Sequence, residues 1–185
     1  YGKPGNYVAR QVSRWSKQYR ASETDNIEAM NNLIEWLPKN IPDDDETTIV
    51  HGDYRLDNMI LRNNEVIGIL DWELSTLGHP IADFSYHCLS WRTQEAFWDE
   101  AKLKELGIPS EKEYMEMYCK YSGKDLSKNW EFYMAFNMFK IAGILQGILG
   151  RVRDGTAASK HAEERGNMVF PLSQAAWETI EDNFL

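Results

Sequence analysis

Three side chains with oxygen donors, Asp53, Asn58 and Asp71, hold the chemistry open to this sequence. They lie in the stretch Thr47 to Tyr86, TTIVHGDYRLDNMILRNNEVIGILDWELSTLGHPIADFSY. A short apolar run ends in His51-Gly52-Asp53, and Asn58 follows Asp53 by five positions. A second apolar run, Val66 to Leu70, ends on Asp71. Between them, Ile60-Leu61-Arg62 and Val66–Leu70 flank Asn63-Asn64, a dipeptide that tolerates the positive φ angles of a tight hairpin. Asp53 and Asn58 leave one strand end, and the hairpin returns Asp71 to the same place. The three groups therefore converge where a metal-bound phosphate could sit.

Each residue type has a physical reason to be there. Phosphoryl transfer asks a protein for positioning and charge neutralisation, with little covalent chemistry of its own. Mg²⁺ takes oxygen ligands in near-octahedral geometry, usually one or two from protein and the rest from phosphates and water. Asn58 and Asp71 can supply those two. Asp53 is left to accept, or at least to orient, the proton of an attacking hydroxyl. Arg55, two residues on, offers a cation to the transferring phosphate.

His51-x-Asp53-x-x-x-x-Asn58 followed by Asp71 resembles the catalytic loop and metal-binding Asp of the protein-kinase-like superfamily. The form HGDYRLDN…ILDWE resembles its aminoglycoside/choline kinase-like phosphotransferase branch, which phosphorylates small molecules. The wider run WSKQYRASET…LIEWLP…LDWELSTLGHPIADFSY is most similar to the phosphotransferase-like domains fused to acyl-CoA dehydrogenases. The resemblance covers most of residues 10–90 and is general beyond them.

It implies an ATP- and Mg-dependent phosphotransferase acting on a hydroxyl group of a small molecule. Asp53 is then the catalytic base, Asn58 and Asp71 the metal ligands, and Arg55 a phosphate contact. Ile60 and Leu70 fall where the family floors the adenine ring. Asp83 matches an acidic residue that holds the catalytic loop by its backbone N–H groups, and His51 packs beneath that loop. Tyr54, Trp72 and Glu73 depart from the protein-kinase pattern; Glu73 could touch metal or substrate, or only brace the loop. A complete fold of this type carries a further small lobe of roughly a hundred residues ahead of the catalytic loop, with the Lys for the nucleotide phosphates. The resemblance thus implies that residues 1–185 are a single domain, the C-terminal lobe without its nucleotide-covering partner, inactive by itself.

The elements that position these residues can be read from periodicity. Val8, Val12, Trp15 and Tyr19 share one helical face, as do Ile27, Met30, Ile34 and Leu37. Asp25 and Glu28 suggest a capping box for the second helix, and Pro38 closes it. The acidic run Asp43–Glu46 reads as a solvated loop. Asp83 to Trp91, Thr93–Leu106, Glu111–Tyr121, Leu126–Arg153, Ala157–Gly166 and Pro171–Asn183 read as helices. The expected fold is α+β, mostly helical, with one small sheet carrying the catalytic loop. Trp130, Phe132, Tyr133, Phe136 and Phe139 read as core rather than cleft. Gly143 and Gly147 would let a neighbouring helix approach closely. Lys140, Arg151 and Arg153 are the cations available to an anionic substrate. His79, His87 and His161 show no metal-like spacing.

The chain has 185 residues, 43% hydrophobic and 12% aromatic, enough for a core of its own. A formal charge of −9 argues against nucleic acid or an anionic membrane as the main partner. Cys88 and Cys119 lie in apolar helical surroundings and suit buried thiols of a reducing, cytoplasmic compartment. Met134–Leu149 is interrupted by Asn137, Lys140 and Gln146 and reads as a buried helix, not a membrane span. Self-association through the apolar surface that an upstream lobe would cover is also expected.

Two other function classes compete. A metallophosphoesterase would need a dense His and Asp cluster around two metals about 3.5–4 Å apart, and four His without that spacing speak against it. A non-catalytic binding module would keep the fold without retaining Asp53, Asn58 and Asp71 together.

Overall fold

The structure is a computed structural model and describes residues 2–44, 46–93 and 100–185. It is α+β and mostly helical, as the sequence implies. The helices are α1 (Tyr7–Ala21), α2 (Glu28–Trp36), α3 (Pro80–Cys88), α4 (Ser90–Thr93), α5 (Glu100–Glu105), α6 (Glu111–Ser122), α7 (Trp130–Arg153), α8 (Ala162–Asn167) and α9 (Val169–Phe184). The strands β1 (Thr48–Val50), β2 (Met59–Arg62), β3 (Glu65–Ile69) and β4 (Thr76–Gly78) lie between α2 and α3.

Helix α7 is the spine, with α1, α3, α8 and α9 packed along it. Its aromatic residues Trp130, Phe132, Tyr133, Phe136 and Phe139 are all buried and belong to the core. By length and composition α7 is apolar enough to cross a membrane even with Asn137, Lys140 and Gln146 in the run, but 67% of that stretch is buried inside the fold, which bears out the buried helix of the sequence reading. Those polar residues are absorbed locally. Asn137 donates to Ala82 O and Ser85 Oγ, and Gln146 to Ser22 O and Thr24 Oγ1. Helix α1 presents its buried face Val8, Val12, Trp15 and Tyr19. It lies against the glycine stripe of α7, where a Cβ on Gly143 would already stand 3.6 Å from Trp15.

The β-structure differs from the expected single sheet. It forms two antiparallel pairs, β1 with β4 and β2 with β3. Strand β4 escaped notice because three residues are too few to show a period, and its partner is distant in sequence. In β2–β3, Met59 faces Ile69 and Arg62 faces Glu65, with an irregularity between Ile60 and Leu61. Asn63 and Asn64 take φ 51° and 63° in the turn, the left-handed values expected of them.

Other boundaries shift. No capping box forms at Asp25: α2 begins at Glu28 with Ile27 before it and no side-chain cap. Asp25 instead meets Arg153 at 2.5 Å, which pins the turn between α1 and α2 to the end of α7. Asp43, Asp44 and Glu46 are exposed, as expected of a solvated loop, although Asp44 lies 3.3 Å from His79 and Glu46 pairs with Lys124. Helices α7 and α8 start later than expected, at Trp130 and Ala162. Of the expected helix Thr93–Leu106, residues 94–99 lie outside the described residues. A polar knot that periodicity does not reveal joins three helices: Arg92 of α4 forks onto Glu111 of α6 and Glu131 of α7, and Trp130 Nε1 donates to Glu111 at 2.7 Å. Cys88 and Cys119 are free thiols, and burial pushes the Cys88 thiol well up.

The hairpin turn gives a direct test. Asn64→Gly should leave stability unchanged or slightly raised, whereas Asn64→Val should cost about 1–2 kcal/mol, because a β-branched residue resists left-handed backbone. Urea midpoints of the two variants against the parent check this.

Candidate active site

The loop after β1 is held from beneath. The backbone N–H groups of His51 and Gly52 donate to Asp83 Oδ2 and Oδ1, both at 2.8 Å. Asp83 sits in the first turn of α3, where the helix dipole favours a carboxylate. Gly52 takes φ 86°, which any side chain would resist, and a Cβ there would also stand 2.7 Å from Leu74 O. Tyr7 of α1 is buried close by; burial first and the Asp83 charge second push its phenol up to about 12.

His51, buried at 4% exposure, joins the loop to the hairpin. Its Nδ1 accepts from Asp53 N at 3.3 Å, which leaves the ring proton on Nε2 to donate to Leu70 O at 2.8 Å. Leu70 N in turn donates to Asn58 O at 2.8 Å. Leu70 is thus gripped on both sides, and the next residue, Asp71, emerges beside the loop with φ 63° and ψ 52°. A left-handed aspartate is a local strain of the kind found at functional sites. The Trp72 ring lies 4.6 Å from His51, and its Nε1 donates to Ile69 O at 2.9 Å. Glu73 is exposed in the short turn Trp72–Leu74.

Asn58 closes the turn Leu56–Asn58 and donates through Nδ2 to Asp53 O at 2.9 Å and to Asp53 Oδ2 at 3.0 Å. With Nδ2 committed, Oδ1 is the amide atom left for a cation. Arg55 Nε is 3.5 Å from Asp53 Oδ2 and 3.6 Å from Asp57 Oδ2, with its side chain 55% exposed. The structure therefore brings Asp53, Asn58, Arg55, His51 and Asp83 into one hydrogen-bonded unit, with Asp71 at its edge. Among the described residues no three His, Cys, Asp or Glu side chains gather into a metal cage. An amide and one carboxylate are instead the sparse protein ligation that Mg²⁺ accepts when phosphates and water complete its shell. Ile60 and Leu70, 43% and 48% exposed, lie beside this unit on an open apolar hairpin with Leu61, Val66 and Ile67.

Two residues of the site, Tyr86 and His87, escaped the sequence reading, and a third, Lys140, is one of the cations it singled out. Tyr86 donates its hydroxyl to Asp53 Oδ1 at 2.7 Å; burial and this bond push its phenol well up. Lys140 lies over the Tyr86 ring, 4.8 Å from its centroid. His87 spans Tyr54 O at 3.0 Å and the Tyr114 hydroxyl at 3.1 Å. The carbonyl can only accept, so His87 donates from Nδ1 and receives Tyr114 on Nε2. A signal existed: Asp83, Tyr86 and His87 stand at i, i+3 and i+4, one face of a helix. Of the other cations, Arg153 is paired at the far end of α7 with Asp25, and Arg151 is exposed.

A loop carrying a carboxylate and an amide, closed by a hairpin that ends in a second carboxylate and seated on a helical lobe, defines a kinase-like phosphotransferase. The chain belongs to the phosphotransferase enzyme family, whose sequence profile matches residues 1–118. It is 49% identical to a candidate aminoglycoside phosphotransferase from Ralstonia eutropha of known crystal structure, with a TM-score of 0.91 over 98% of this chain and 57% of that one. It is also 45% identical to acyl-CoA dehydrogenase family member 10 of Mus musculus over 96% of this chain. Identity to acyl-CoA dehydrogenase family member 11 of Homo sapiens is 40% over 100% of it. The chain spans only 17% and 24% of those two relatives' lengths.

Protonation offers a test of the site's supports. Burial lowers the pKa of His87 from 6.5, against the opposing pull of the Tyr54 carbonyl, and likewise lowers that of His79 against Asp44. Below pH 6.5 the unfolded chain therefore binds more protons than the folded one, and stability falls as pH falls. The urea midpoint should drop between pH 7 and pH 5, and His87→Gln should make the drop shallower.

Proposed function

We propose that the chain is the catalytic-loop lobe of an ATP- and Mg²⁺-dependent kinase that phosphorylates a hydroxyl group of a small molecule. The observation that carries this is the Asp53 carboxylate, held between Asn58, Arg55 and Tyr86 at the foot of a hairpin ending in Asp71. Asn58 Oδ1 and the Asp71 carboxylate would hold the metal, which supplies charge neutralisation on the phosphates. Asp53 orients the acceptor hydroxyl and takes its proton. Arg55, mostly solvated in the present arrangement, swings from Asp53 and Asp57 to the transferring phosphate. Ile60 and Leu70 give the purine one apolar face.

The acceptor class we favour is a hydroxy acid or its acyl-CoA thioester. The support is that relatives over nearly the whole chain bear acyl-CoA dehydrogenase names, and enzyme units on one polypeptide often share a metabolite. Overall charge does not bear on this, because net charge is not pocket charge.

Asp53→Asn in the intact protein should cut ATP-dependent phosphorylation of an active hydroxyl acceptor by about 10²–10⁴. Unchanged turnover removes Asp53 from the mechanism. A screen of hydroxy acids, their CoA thioesters and aminoglycosides for ATP consumption decides the acceptor.

The 185-residue chain by itself should bind MgATP weakly. A ligand of this size normally has about 70–90% of its surface buried, and Ile60 and Leu70 cover one side of the base only. Calorimetry giving micromolar, one-to-one binding would show that the nucleotide lies elsewhere.

A further inference from the structure

Among the described residues, Asp53 is met by Asn58, Arg55 and Tyr86, and only Tyr86 comes from outside its own loop. Asn58 and Arg55 are loop neighbours and move with it. Tyr86, on α3, reaches Asp53 Oδ1 at 2.7 Å from 33 residues away. A carboxylate whose donors all belong to one turn can rotate with that turn. A donor on a packed helix fixes it against the core.

Tyr86 is itself held. The Lys140 ammonium lies over its ring at 4.8 Å, and Lys140 belongs to the largely buried helix α7. Burial lowers the Lys140 pKa, while the Asp83 and Asp53 charges act to raise it and Arg14 to lower it. The ammonium thus stands in the field of both carboxylates that organise the loop. A cation over the ring also draws electron density from the phenol, which makes its hydroxyl a better donor.

Resting on Asp53 as the base, we infer that Tyr86 and Lys140 are positioning residues that lock the Asp53 carboxylate in its reactive orientation. They touch neither nucleotide nor acceptor. Their effect is on how often Asp53 points correctly, so they act on kcat and leave nucleotide affinity alone.

Tyr86→Phe removes the donor but keeps the ring under Lys140. In the intact protein, with MgATP and water as acceptor, kcat should fall roughly tenfold with KM for ATP within about twofold. Lys140→Met should lower kcat several-fold and Lys140→Arg restore most of it, because a guanidinium also sits over an aromatic ring. A role confined to packing would lower the melting temperature of Lys140→Met without this rescue, and would overturn the inference. So would a normal kcat in Tyr86→Phe when Asp53→Asn is inactive. An active Asp53→Asn would instead reject the proposed base. A second measurement needs no turnover: proton NMR of the 185-residue chain should show a protected tyrosine hydroxyl resonance, absent in Tyr86→Phe and lost or moved upfield in Asp53→Asn. A resonance unmoved in Asp53→Asn overturns the contact itself.

Discussion

The carboxylate of Asp83 is the constraint on which the site depends. A loop that leaves a strand and turns at once has consecutive backbone N–H groups with no ladder partner, and buried donors of that kind must be satisfied. One carboxylate takes both, from His51 and Gly52. Charge-assisted bonds are about twice as strong as neutral ones, and the start of α3 favours the negative charge. With those two amides fixed, the His51 ring reaches the hairpin. It then meets Leu70 O, Leu70 N meets Asn58 O, and two segments distant in sequence are closed onto one another.

Charge at the site is arranged locally, in a pattern that a net value of −9 does not convey. Asp53, Asp57, Asp71 and Asp83 crowd one end of the lobe, and unpaired they would repel. Arg55 bridges Asp53 and Asp57, while Lys140 stands behind Asp53 and Asp83. The two cations differ in kind. Arg55 is exposed, whereas Lys140 is packed over the Tyr86 ring. A mobile cation suits a moving phosphate; a fixed one suits a frame.

Most of this lobe could be read in advance, for reasons that differ by element. The hairpin was legible because Asn63-Asn64 is a chemical requirement of left-handed backbone, and α1 because four apolar residues repeat at helical spacing. The chemistry was legible because Asp53, Asn58 and Asp71 are few, polar and placed at strand ends. What stayed hidden depends on tertiary geometry. Strand β4 has no pattern of its own and exists only as the partner of β1. Asp25 looked like a cap because spacing alone cannot tell a helix start from an ion pair with Arg153. Tyr86 and His87 read as ordinary helix residues by periodicity, although Asp83 on the same face marks that face as turned toward the loop.

The exposed hairpin follows from the same arrangement. Ile60, Leu61, Val66, Ile67 and Leu70 are between 43% and 58% exposed, on a two-stranded ribbon that packs little against the helices. An isolated hairpin is marginally stable in water, so something must hold this one in register. The grip on Leu70 from His51 and Asn58 does so at the end where Asp71 emerges, and the left-handed Asn pair does so at the other. The middle of the ribbon is left as apolar surface without being needed for stability. A lobe that gained hairpin stability by burying those side chains in its own core would have no apolar face left open there. Anchoring the ribbon by its ends therefore reconciles a fixed end at Asp71 with an open apolar surface along its middle.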